Sequence, residues 1–153
     1  MPLFPINLTT AALFFYNLPN TSIVQIQLVQ NSLARFVFPS VRRCHHISPT
    51  LVKLHRLPIR QRIVFKIVTI THKTLQNKQP SYLHDLLHVY TPIRNLRSSN
   101  ANLLVVPNIN SSIGRRSFCY AAPIVWNSLP LSIRNTKFLS TFRSLLKTHL
   151  FPP

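Results

Sequence analysis

Glycine occurs once in this chain of 153 residues, at Gly114, while proline occurs 13 times. Tight β-hairpins need residues that accept positive φ, and glycine accepts it at least cost. One glycine cannot serve the many turns of a sandwich or barrel. Glycine-rich loops that cradle phosphates are removed on the same ground. The prolines act as punctuation, and helices can begin at one and stop before the next. Hydrophobic residues make up 46% of the chain, enough for a core and too many for a compositionally disordered segment. The expected fold is therefore mainly α: a small bundle of short helices with at most one short β-hairpin.

Periodicity and punctuation place the helices. Leu18-Pro19-Asn20-Thr21-Ser22 is a turn with a helix-cap signal, and a helix is expected over about 22–37. Ile23 to Leu28 alternates as a strand would, but Ile26, Val29, Leu33 and Phe36 follow helical spacing through a polar stretch without strand character. Ser48 and Pro49 read as N-cap and first residue of a short helix to His55. Pro58 opens the longest helix, to about Gln76, with Ile59, Ile63, Ile67 and Ile70 as its apolar face. Pro80 and Ser81 begin another, to His88. Residues 91–117 read as a loop holding one short strand, Leu103-Leu104-Val105-Val106, paired to Ser117-Phe118-Cys119. A helix over Ala121 to Ser128 surrounds Trp126, and Leu139, Phe142, Leu145, Leu146 and Leu150 make a last amphipathic helix. The organisation expected is a lead-in (1–21), a helical region (22–90), the loop (91–117) and a C-terminal helical region (118–153), together one domain and a piece of a larger protein.

The charge is as lopsided as the glycine count. Lys and Arg number 18, and Asp and Glu number one, giving a formal charge of +17. Asp85 is the sole side-chain carboxylate. General acid/base pairs, carboxylate metal cages and Ser-His-Asp relays all draw on Asp or Glu, so most enzyme classes are excluded. The surplus of positive charge calls for a polyanion, most commonly nucleic acid. Few internal ion pairs are possible, so the repulsion is not neutralised from within.

Arg62, Lys66 and Lys73 fall opposite the apolar face of the longest helix, at spacings of four and seven. Such a stripe can follow a phosphate backbone; the alternative is an ordinary solvated face. The doublets Arg42-Arg43 and Arg115-Arg116 lie in loops and complete the candidate nucleic-acid-binding set. Trp126, beside Ile124 and Val125, is expected in the core rather than as a stacking platform for bases. His84-Asp85-Leu86-Leu87-His88 has zincin-like spacing, and Cys44-His45-His46 clusters metal-ligating types. Each lacks the further ligands a zinc site needs, so neither a metal nor a cofactor is expected. Two cysteines give no disulfide framework. The apolar N-terminus lacks a basic flank and is broken at Asn17 and Pro19, which argues against a signal peptide; the location expected, if the chain is expressed, is intracellular, in cytoplasm or nucleus.

Several short runs, in order, resemble one family. Gln27-Leu28-Val29-Gln30-Asn31-Ser32 is followed by Ala34-Arg35, then His46-Ile47-Ser48-Pro49, Leu54-His55 and Leu57-Pro58-Ile59. Pro80-Ser81-Tyr82-Leu83, Leu96-Arg97-Ser98, Leu103-Leu104-Val105-Val106-Pro107 and Trp126-Asn127-Ser128-Leu129-Pro130 continue the series. Over roughly residues 9–151 the chain resembles the region downstream of the polymerase palm in reverse transcriptases of non-LTR (LINE-type, jockey-like) retrotransposons. The resemblance implies an orphan C-terminal fragment of an RNA-directed DNA polymerase that grips RNA or an RNA–DNA hybrid without catalysis. The family's catalytic aspartates belong to the palm, and no such turn exists here. Arg56 stands where the family usually has Trp. A translated remnant without function and a small basic protein of ribosomal type remain as alternatives.

Overall fold

The computed structural model describes residues 15–40, 45–92 and 101–151. Seven α-helices are present among them: α1 (Asn20–Val37), α2 (Ser48–Lys53), α3 (Ile59–Asn77), α4 (Ser81–His84), α5 (Phe118–Asn127), α6 (Leu131–Arg134) and α7 (Leu139–Leu150). A 3-10 turn, Gly114–Arg116, precedes α5. The result is a small, mainly α bundle of short helices with no sheet among the described residues, as the glycine and proline counts require.

Proline sets most of the starts. Pro19, Pro58, Pro80 and Pro130 each stand immediately before a helix, with extended ψ of 145–156°. A residue with fixed φ and no N–H loses nothing there, because the first N–H groups of a helix have no internal partner anyway. Pro49 sits inside the first turn of α2 for the same reason. The exception is Pro123, in the interior of α5 and itself buried. That helix is held by tertiary packing strong enough to absorb a missing backbone bond.

α3 is the axle. α1, α4, α5 and α7 all pack on it, and α6 packs on α7. The buried side of α3 carries Ile63, Ile67, Val68, Thr71, His72 and Thr74. From α5 come Ala121, Ala122, Val125 and Trp126, and from α7 Phe142 and Leu146, all in one hydrophobic cluster. The small pair Ala121-Ala122 lets α5 approach α3 closely. Ring packing completes the centre: His72 stacks on Phe142 at 4.0 Å between centroids, and Trp126 stacks on Phe142 at 6.0 Å. Aromatic contacts of this kind add to the burial of their area.

The strand pairing differs from the expectation. Leu104 forms an isolated antiparallel bridge with Val89, not with Ser117-Phe118-Cys119. Tyr90 N–H donates to Leu103 O, and Val105 N–H donates to His88 O, both at 2.8 Å. Residues 118 and 119 are already helical, in the first turn of α5, so that segment is not extended for pairing. Asn127 fills the other edge of Leu104. Its Oδ1 accepts from Leu104 N–H at 2.9 Å, and its Nδ2 donates to Leu104 O at 2.8 Å. One side-chain amide thus stands in for the second strand. The segment after Pro80 also departs, since α4 ends at His84 rather than His88. α6, a single turn between Pro130 and Asn135, was not foreseen.

Gly114 is used for close approach and not for positive φ. A Cβ there would lie 2.5 Å from Ile109 Cγ2 and 2.6 Å from Ser111 Oγ. Positive φ falls instead on Asn17, His55, Lys78 and Asn102.

Candidate nucleic-acid interface

The geometry of the basic residues follows from how α3 is buried. At 100° per residue, Arg62, Lys66 and Lys73 lie within about 40° of one another and roughly opposite the centre of the buried arc. Arg62 and Lys73 are exposed, and Lys66 is half-buried. Eleven residues at 1.5 Å each set Arg62 and Lys73 about 16 Å apart along the axis. The three cations therefore share one side of α3, with the buried Thr69 between Lys66 and Lys73 on that side, and four other helices pack on α3.

Both ends of that helix are anchored. At the start, Gln27 Oε1 of α1 accepts from Ile59 N–H at 2.8 Å, capping α3 from another element. Gln30 Nε2 donates to Leu57 O at 3.0 Å just ahead of it. At the end, Lys78 takes the left-handed conformation (φ 54°) and its N–H closes on Thr74 O. Midway, Thr69 Oγ1 donates to Phe65 O at 2.6 Å and Thr71 Oγ1 to Ile67 O at 2.9 Å, which satisfies two buried hydroxyls within the helix.

Between described residues the only ion pair is His84 Nδ1 to Asp85 Oδ1, at 3.8 Å. The sole side-chain carboxylate thus lies beside a histidine on α4, and none is left for the stripe. The first turn of α3 holds no acid but does carry Arg60 and Arg62. Cations at the positive end of a helix dipole are unfavourable by roughly 0.3–1 kcal/mol each, and an anion there relieves them.

Of the other expected cations, the two that are described lie on a different element. Arg115 and Arg116 ride on the 3-10 turn, which packs against α5. Arg115 is exposed and its Nε donates to Ile109 O at 3.1 Å. Arg116 is half-buried, with Nε enclosed and without a hydrogen-bond partner. Arg42, Arg43 and Cys44 lie outside the described residues. Trp126 is 3% exposed and its Nε1 donates to Asn102 O at 2.8 Å, so it belongs to the core as expected.

Two cations were missed by the sequence reading. Arg60 bonds Asn20 Oδ1 and lines, with Phe15, Tyr16 and Ile23, a shallow cleft of about 260 Å³ at the start of α3. Its position off the stripe gave no periodic signal. Arg134 on α6 has Nε and Nη1 enclosed without partners, and burial lowers its guanidinium pKa from the ordinary arginine value. Among the described residues no three His, Cys, Asp or Glu side chains come together. The H-x-x-x-H motif is split by the end of α4: His84 closes the helix and His88 belongs to the bridged segment.

No protein-family model, curated protein or solved structure matches this chain. The description as a reverse transcriptase-like, LINE-type retrotransposon fragment is corrected accordingly. What stands in its place is a small helical fold that matches no family.

Proposed function

We propose that this chain is a non-catalytic module that grips the phosphate backbone of RNA or DNA through the α3 stripe, without reading base sequence. The observation that carries this reading is the line Arg62, Lys66 and Lys73, three cations over about 16 Å of one helix side with no carboxylate to neutralise them. A duplex offers a phosphate charge about every 1.7 Å of its axis, so the stripe meets acceptors at any register. Contacts of this kind fix position and carry no sequence information. The rigidity of α3, buried on one side and capped at both ends, holds the cations in line before the ligand arrives. Less conformational freedom is then lost on binding.

The polarity of the chain supports the same reading. A formal +17 carried with one acid is self-repelling, and a polyanion lowers that repulsion as it binds. Base stacking is no part of the proposal, because Trp126 is enclosed. The test is binding of single-stranded RNAs of equal length and scrambled sequence, with matched DNAs, followed by fluorescence anisotropy. Affinities that agree within about threefold across sequences support backbone recognition. A preference of a hundredfold for one sequence, roughly 2.7 kcal/mol, would mean base edges are read and would refute it.

A further inference from the structure

His72 is a titratable side chain at the centre of the apolar core, and a grip on phosphate through α3 makes no use of it. The residue is 1% exposed. Its ring lies 4.0 Å from that of Phe142, at an interplanar angle of 21°, and 6.3 Å from that of Trp126. Nε2 is 2.7 Å from Thr136 O. A carbonyl only accepts, so Nε2 carries the ring proton, and in the neutral ring Nδ1 is a bare acceptor. That Nδ1 is enclosed and has no hydrogen-bond partner. A second proton enters at Nδ1, where it makes a buried charge and a donor that meets no acceptor.

No element packed around the ring brings a counter-ion. α5 carries Cys119 and Tyr120, α6 carries Arg134, and the link to α7 carries Lys137. α7 itself has Arg143, Lys147 and His149, while α1 has Arg35 and α4 has Tyr82 and His84. The other titratable groups of α3 are Arg60, Arg62, Lys66 and Lys73. All the lysines and arginines here are of like sign to an imidazolium. Asp85, the sole side-chain carboxylate, is 76% exposed beside His84. Burial accordingly lowers the pKa of the ring below 6.5, with the Thr136 bond opposing in part.

We infer that His72 is an acid-sensitive latch, whose protonation releases the C-terminal helix pair α6–α7 from α3 while α1, α4 and α5 stay packed on it. The pair can part as a unit, because α7 packs on α3 and α6 packs on α7. Pro130, extended at ψ 146°, separates α6 from α5 and supplies the hinge. His72 makes two ties to the pair. Thr136 O, its hydrogen-bond partner, lies in the link between α6 and α7, and Phe142 of α7 stacks on its ring. Release takes Phe142 and Leu146 out of the core and uncovers Trp126. Water reaches Nδ1 in the released state, so that state binds the proton more tightly than the closed one. Closure is at full strength above about pH 6.5. It weakens as pH falls toward the lowered pKa of the closed state, by up to about tenfold in the closed-to-released ratio per pH unit.

The experiment is hydrogen exchange of the full chain between pH 7.5 and 5.5, followed by mass spectrometry and corrected for intrinsic exchange. Amides over 142–146 are expected to be at least about tenfold less protected than those over 67–71 of α3, the mark of an opening smaller than whole unfolding. Their protection is expected to fall by up to about tenfold per pH unit below pH 6.5. His72→Phe, with helicity checked by circular dichroism, is expected to remove that pH dependence, and His72→Met serves where the Phe variant does not fold. His149→Gln, changed on the exposed side of α7, is expected to keep it. Equal protection of 142–146 and 67–71 at every pH overturns the inference, because the pair then leaves only when the whole fold does. So does protection over 142–146 that ignores pH, a His72 variant with the wild-type pH dependence, or a His149 variant without it. Because no nucleic acid is present, this outcome is independent of the backbone-binding test.

Discussion

Replacing Trp126 by Ala should remove a large part of the stability of this fold while leaving the basic stripe untouched. The ring is 3% exposed, stacked on Phe142 and tilted against His72 at 6.3 Å. Truncating a buried aromatic costs about 3–5 kcal/mol through lost transfer energy and the cavity left behind. The hydrogen bond from Nε1 to Asn102 O adds little to that figure, because Asn102 is exposed and water can replace the donor. Against a total of about 5–15 kcal/mol for a domain, the loss is a fifth or more. At roughly 2–4 °C per kcal/mol for a chain of this size, the midpoint should fall by about 6–20 °C. The assay is urea and thermal unfolding followed by far-ultraviolet circular dichroism, since the variant lacks the only tryptophan. Trp126→Phe, which keeps a ring in the site, should lose less. An unchanged midpoint in Trp126→Ala would refute the placement of α5 against α3 and α7. A folded variant that no longer binds RNA would refute the assignment of Trp126 to the core instead of the interface.

Two further perturbations test the framework around the stripe. His72 is 1% exposed, its Nε2 bonds Thr136 O at 2.7 Å, and its Nδ1 is enclosed without a partner. Burial lowers its pKa below the ordinary histidine value of 6.5, with the Thr136 hydrogen bond opposing in part. The unfolded chain therefore takes up the proton first. His72 contributes stability that is intact above about pH 6.5 and is lost as pH falls toward the lowered folded pKa, at up to about 1.4 kcal/mol per pH unit. Urea midpoints of wild type and His72→Phe between pH 7.5 and 5.5 should diverge, and identical slopes would count against it. Gln27→Ala removes the acceptor that caps Ile59 N–H and should cost about 1 kcal/mol. A urea midpoint equal to wild type would show that water caps α3 equally well.

The ends of the long helices were legible because their causes are local. Pro58 and the isoleucine spacing locate α3 to within a residue, and the leucine pattern locates α7 at both ends. That Arg62, Lys66 and Lys73 share one helix was legible for the same reason, since they follow its period. Three features were not. The partner of Leu104 depends on which distant segment is free to pair, and Asn127 acting as a substitute strand leaves no periodic mark. The seam of α1 was hidden by its own pattern: Ile26, Val29, Leu33 and Phe36 identify a helix, but the face that packs on α3 is the glutamine face. His72 lies in the core although its residue type favours the surface, and the stacked Phe142 and the Thr136 O partner, both distant in sequence, explain it.

The salt dependence of RNA binding by Arg62→Gln/Lys66→Gln/Lys73→Gln, beside wild type, tests the stripe most directly. Each phosphate neutralised contributes about −0.7 to the slope of log K against log salt for a single strand, and about −0.9 for a duplex. Loss of three contacts should flatten the slope by about two to three units, with helicity unchanged because the residues lie on the outer side of α3. A triple variant with the wild-type slope would return Arg62, Lys66 and Lys73 to an ordinary solvated face and contradict backbone binding through α3.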